Sequence, residues 1–154
     1  MIFLKSAEAK LLLTILILVA MIQGKSIEPL LEKIKNIDWK GYCNKAWEKI
    51  KEYSKQIGRS TCEKCLTAWY VLDDANTSTL DKALIYGAII YTVSPWSIIP
   101  SVKFRVLGLL DEVIAINFVI NRIRKNITLD IENKVKNTLE EWFGPEHTLA
   151  ESEA

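Results

Sequence analysis

The sequence predicts an all-α protein, a small helical bundle built around a proline-broken apolar helical hairpin with an N-terminal apolar helix. Three observations lead there. Six Gly and four Pro in 154 residues leave little room for the turns of a β fold. The apolar residues, 49% of the chain, are gathered in blocks: residues 83–102 hold no charge, and neither do residues 113–121. A hydroxyl residue followed three positions later by an acid, the pattern that opens helices, occurs at Ser60 and at Ser78, the second just before the first block. The length suits one domain with a real core.

The first segment, residues 1–25, places Lys5 and Lys10 before fourteen uncharged residues, 11–24, that end at Lys25. A basic start and an apolar core fit a signal peptide, whereas Leu18 and Ile22 occupy positions where a cleavage site after Ala20 or Gly24 wants small residues. At 1.5 Å per residue the run covers about 21 Å, short of a hydrocarbon core of roughly 30 Å. An uncleaved membrane anchor or interfacial helix, a cleaved signal, and a helix buried against the rest of the protein all remain open.

Residues 26–60 form a basic amphipathic helical region. Ile27, Leu30, Leu31 and Ile34 share a face, and after a possible break at Gly41 the stripe resumes with Trp47, Ile50, Tyr53 and Ile57. Ser60-Thr-Cys-Glu63 has the capping-box form and predicts a helix from near Thr61 to Asp73 or Asp74. Residues 75–78 make a loop, and Ser78-Thr-Leu-Asp81 opens a helix that is apolar all round and ends near Val93, before Pro95 and Pro100. A third apolar helix starts near Val106 or Gly108 and reaches Lys125. Thr128 caps a last helix with Ile131, Val135, Leu139 and Trp142 on one stripe, stopped by Gly144-Pro145. Residues 146–154 are acidic and small, and read as a solvated, disordered tail.

Charge narrows the function classes. Twenty basic and nineteen acidic side chains give a net charge of +1, which argues against a nucleic-acid binder that must neutralise many phosphates. The charges are nonetheless segregated: residues 25–64 carry ten Lys/Arg against six acids, and residues 140–154 carry five acids and no Lys or Arg. His147 is the single histidine, so histidine-based hydrolysis and histidine-rich metal centres lack their parts.

Tyr91-Thr-Val-Ser-Pro-Trp-Ser-Ile-Ile-Pro100 followed by Val106-Leu-Gly-Leu-Leu-Asp-Glu112 carries a resemblance. Ser94, Pro95, Ile99, Pro100, Gly108, Asp111 and Glu112 stand where the YkvA-like domain family has its motif. The stretch resembles that family of small bacterial helical domains of unknown function, from about Cys65 to Glu146 within a domain at 61–145. Where the family carries Asp on either side of its Ile-Pro step, this chain has Ser97 and Ser101, so only Asp111 and Glu112 remain of the acidic set. Two carboxylates are few for a hard cation, and at about 100° per residue they point to different sectors of a helix. The expected role is structural, acids at the positive end of a helix dipole.

Cys62-Glu-Lys-Cys65 is a weak redox or metal candidate. A CxxC at a helix start can lower a thiol pKa or supply half a zinc site, but here it is alone, in an all-helical setting, with Cys43 at an unhelpful spacing. No catalytic residue, cofactor or metal is assigned. Three functional readings stay open. The resemblance and the uncharged runs imply a non-enzymatic membrane-associated protein at the bacterial inner membrane, its hairpin embedded, its partner membrane lipid, and detergent needed for its release. The alternative is a soluble helical interaction module with a protein partner, favoured by apolar runs too short to span. The third is an enzyme or ion-binding protein using Asp111 or Glu112.

Overall fold

The computed structural model describes residues 6–35, 37–93 and 112–145, with side chains at 13–35, 37–93 and 114–145. Every regular element among them is helical. Helix α1 (Ser6–Ile22) is followed by the short α2 (Glu28–Leu31), which runs on as a 3₁₀ turn at Glu32–Ile34. Then come α3 (Trp39–Glu52), α4 (Ser54–Ile57), α5 (Arg59–Leu72), α6 (Thr79–Val93), α7 (Glu112–Ile123), a 3₁₀ turn at Arg124–Asn126, and α8 (Leu129–Phe143).

Helix α6 is the centre of the molecule. Ala83 through Val93 are all buried, because α1, α3, α5 and α7 each pack against it. A helix apolar on every side has no other stable place in a water-soluble arrangement of helices. Its start matches the sequence pattern: the Asp81 backbone N–H donates to Ser78 Oγ at 3.1 Å. Its partner α7 runs antiparallel, since Arg122 near the end of α7 meets Asp81 near the start of α6 while the helices pack along their lengths. The two form a hairpin joined by residues 94–111, which lie outside the described residues.

Helix α1 packs along α6, burying Thr14, Ile15, Ile17, Leu18 and Val19. The backbones come unusually close where they cross: a Cβ placed on Gly87 would sit 2.8 Å from the Thr14 carbonyl oxygen. Only glycine permits that approach, which explains a residue that costs a helix interior about 1 kcal/mol. The helix closes in a Schellman arrangement, with Lys25 N–H bonding to Ala20 O at 2.8 Å and Gly24 N–H to Met21 O at 3.0 Å.

Two boundaries differ from those expected. Helix α3 runs through Gly41, and the interruption falls at Gly58, whose φ of +85° is disfavoured for any side chain with a Cβ. Helix α5 therefore begins at Arg59, and the Ser60-to-Glu63 pattern lies inside it with no side-chain cap. Thr128 does cap α8, accepting from Ile131 N–H at 3.2 Å. Helices α5 and α8 are antiparallel neighbours, tied at one end by Arg59 Nη1 donating to Gly144 O at 2.9 Å and further along by the hydroxyls of Tyr70 and Thr138, 3.0 Å apart.

Candidate functional site

The motif positions Ser94, Pro95, Ser97, Ile99, Pro100, Ser101, Gly108 and Asp111 lie outside the described residues. Glu112 is the first residue of α7, at the hairpin end away from the Asp81–Arg122 pair. That pair is half-sheltered and short, 2.6 Å from Arg122 Nε to Asp81 Oδ1.

The CxxC cysteines are core residues. Cys62 and Cys65 are free and fully buried on the inward face of α5, and Cys43 on α3 is free and buried too. Burial pushes the Cys62 thiol up to about 12 despite Arg59, and pushes Cys43 up to about 11 with help from the Asp73 carboxylate. Cys65 is raised further by the same burial and by Cys62, the Thr92 hydroxyl partly opposing this. Thiolate is the nucleophilic and ligating form, so these thiols are in their unreactive state at neutral pH. Among the described residues, no cluster of three or more His, Cys, Asp or Glu side chains is arranged to hold a metal ion.

Two aromatic clusters join the helices. Trp47 of α3 packs on Trp69 and Tyr70 of α5 and on Trp142 of α8, with ring centroids 4.6, 6.1 and 5.3 Å away. Trp69 Nε1 also donates to Cys43 O at 2.7 Å. The cluster is thus a pin through three helices. The second stacks Tyr42 of α3 on Tyr86 of α6 at 4.8 Å, with Trp39 edge-on to Tyr42. Trp39 Nε1 and Tyr42 Oη are buried there without a hydrogen-bond partner among the described residues. Burial, followed by the Asp38 carboxylate, raises the Tyr42 phenol above its ordinary pKa.

Among the described residues, an open groove of about 520 Å³ lies between α5, α8 and the end of α7. Arg59, Lys64, Arg124 and Lys136 line it against Glu63 and Glu132, over an apolar floor that includes Ile120 and Val135. Arg59 is pinned by Gly144 O and by the face of the Phe143 ring, 5.9 Å from its guanidinium carbon. Arg124 Nη2 donates to Asn121 Oδ1 at 2.8 Å. The sequence reading missed this groove because its cations come from three separate segments. The available signal was the placement of Lys136 on α8 beside the stripe of Ile131, Val135, Leu139 and Trp142.

The structure therefore presents an all-α protein in which several polar side chains tie one helix to another. Residues 81–118, the α6–α7 hairpin with its link, match the family described as "Protein of unknown function (DUF1232)". No curated protein and no solved structure matches the chain. No helix among the described residues is long and apolar enough to cross a membrane.

Proposed function

We propose that the chain is a non-enzymatic helical module that acts by binding, held at the surface of the bacterial membrane. One observation supports this most directly: Ala83 through Val93 are covered by protein on every side. A hairpin committed to lipid would turn apolar faces of both helices outward, whereas its first helix, α6, is enclosed by other helices. The burial of α6 therefore favours peripheral attachment over the embedded hairpin expected from the uncharged runs. The match over residues 81–118 is compatible with the YkvA-like resemblance, and the family description assigns no reaction.

Membrane lipid is the proposed partner because the link between α6 and α7 combines Trp96, Phe104 and several aliphatic residues with Lys103 and Arg105. That composition suits the interface between acyl chains and anionic headgroups. Burial of α6 equally favours a soluble interaction module with a protein partner. Fractionation separates these readings. Under the proposal the full chain sediments with membranes and alkaline carbonate releases it without detergent. Retention after carbonate, also by a chain lacking residues 1–24, would establish an embedded hairpin, and recovery in the first supernatant would leave the soluble module.

A further inference from the structure

Ser60, Glu63, Lys64 and Thr67, spaced to share one face of α5, form one wall of the groove, and Glu132 and Lys136 of α8 line the opposite side. Arg59 and Arg124 complete the rim. Four cations against two acids leave an excess of two positive charges, enough for one phosphate and far short of the many contacts a nucleic acid needs. The floor is apolar: Val135 and Leu139 are buried, while Ile120 and Ile127 keep part of their surface exposed. We propose that this groove binds one anionic phospholipid, its phosphate held among the cations of the rim and the start of an acyl chain laid on Ile120 and Ile127. Such a site rests on the proposed membrane attachment and is separate from the link that precedes α7, because it lies at the other end of that helix from Glu112.

Size and chemistry select that occupant. The volume of about 520 Å³ falls within the roughly 300–1,000 Å³ of small-ligand sites, whereas a docked helix is about 10–12 Å across before its length is counted. Arg59 donates to Gly144 O at 2.9 Å and Arg124 to Asn121 Oδ1 at 2.8 Å, so both guanidinium groups are held in place. A guanidinium carries several N–H donors in a fixed fork, and one such bond leaves others for the oxygens of a phosphate. A bare soluble anion would meet the same cations and gain nothing from the aliphatic floor. Each buried methylene adds roughly fourfold to an affinity, so covering about two of them separates a lipid from its free headgroup by at least tenfold.

The test uses the full-length chain with two probes: vesicles of phosphatidylcholine and phosphatidylglycerol in equal parts, and dihexanoyl-phosphatidylglycerol below its micellar concentration. The groove variant Lys64→Gln, Arg124→Gln, Lys136→Gln spares Arg59, which ties α5 to Gly144. The control Lys45→Gln, Lys51→Gln, Lys55→Gln removes the same charge from exposed positions of α3 and α4. The groove variant is expected to lose at least tenfold in affinity for both probes and the control less than threefold, with circular dichroism confirming both folds. Should the triple variant misfold, Lys64→Gln with Lys136→Gln makes the same prediction. Equal losses in groove variant and control would reduce the attraction to diffuse charge and overturn the proposal. So would a wild type that does not bind the soluble lipid, or that binds glycerol phosphate as tightly, since the occupant would then be a free phosphate. A polyglutamate peptide bound more tightly than the lipid would assign the groove to an acidic protein segment and overturn it too. The two readings fail separately: vesicle binding that survives in the groove variant overturns the site and leaves membrane attachment standing, whereas soluble-lipid binding lost in the groove variant, by a wild type that ignores vesicles, supports the site and ends the attachment reading.

Discussion

Asp81, in the first turn of α6, accepts a hydrogen bond from Nε of Arg122, in the last turn of α7, across 41 positions of sequence and 2.6 Å of space. This contact closes the open end of the hairpin and fixes the register of its two helices. Both side chains keep some exposure, so the pair belongs with surface ion pairs, worth about 0.2–1 kcal/mol. A double-mutant cycle of Asp81→Asn and Arg122→Gln in urea is expected to give a coupling in that range, reduced at high salt. A coupling of zero would show that packing alone sets the register.

Gly87 is expected to be the least replaceable residue of the α1–α6 contact. A methyl group there meets the Thr14 backbone rather than a movable side chain, so Gly87→Ala should cost about 1–3 kcal/mol as the helices are forced apart. The gain in helix propensity, about 1 kcal/mol, works the other way and is smaller than the upper part of that range. Limited proteolysis should then cut first within α1. A variant as stable and protease-resistant as the wild type would place α1 elsewhere.

Thr128→Ala should lower stability by about 1 kcal/mol through loss of the α8 cap, and Thr128→Ser should restore most of it. The hydroxyl accepts from Ile131 N–H, which neither water-exposed flank replaces fully. Urea midpoints decide: equal losses in both variants would assign the effect to the Thr methyl group.

Alkaline pH should destabilise the protein through its thiols. In the unfolded chain a cysteine titrates near 8.5, while burial holds Cys43 near about 11 and Cys62 near about 12 in the folded state. The folded state thus keeps protons that the unfolded state loses. The contribution is complete below about pH 8.5 and falls as pH rises toward the folded values. Urea midpoints at about pH 7, 9 and 10 should decline through the last two, and thiol reagents should label the native protein slowly at about pH 8. Flat midpoints with rapid labelling would show exposed thiolates.

Trp47→Ala should loosen three helices together, with a loss approaching the roughly 3 kcal/mol typical of removing a large core aromatic. Trp47 touches Trp69, Tyr70 and Trp142 at once, so near-ultraviolet circular dichroism should change with it. Trp47→Phe should recover part of both. An unchanged spectrum would mean that the rings contribute no fixed packing.

Much of the helical layout is legible in local sequence. Ser78 and Thr128 announce their helices because a hydroxyl oxygen three residues before a free amide is a local device. Position 58 was missed because glycine's left-handed freedom leaves no trace until the backbone uses it. The destination of α1 could not be read, since apolar side chains fit lipid and protein alike; Gly87, a glycine inside a helix, was the only hint, and it sits 65 residues beyond Ile22. The groove was illegible for a related reason: charge opposition between residues 25–64 and 140–154 is visible in the sequence, but that Lys136 and Arg124 share a cleft with Arg59 depends on how α5 and α8 pair.

The distance between α1 and α6 along the chain also sets an order of events during synthesis. Ile22 and Val93 are 71 positions apart, and at roughly 5–20 residues per second a ribosome takes several seconds to cover that distance. Throughout the interval α1 has emerged without the surface that will bury Ile15, Ile17 and Leu18. The nascent chain therefore exposes, until α6 arrives, an apolar helix that the finished protein buries.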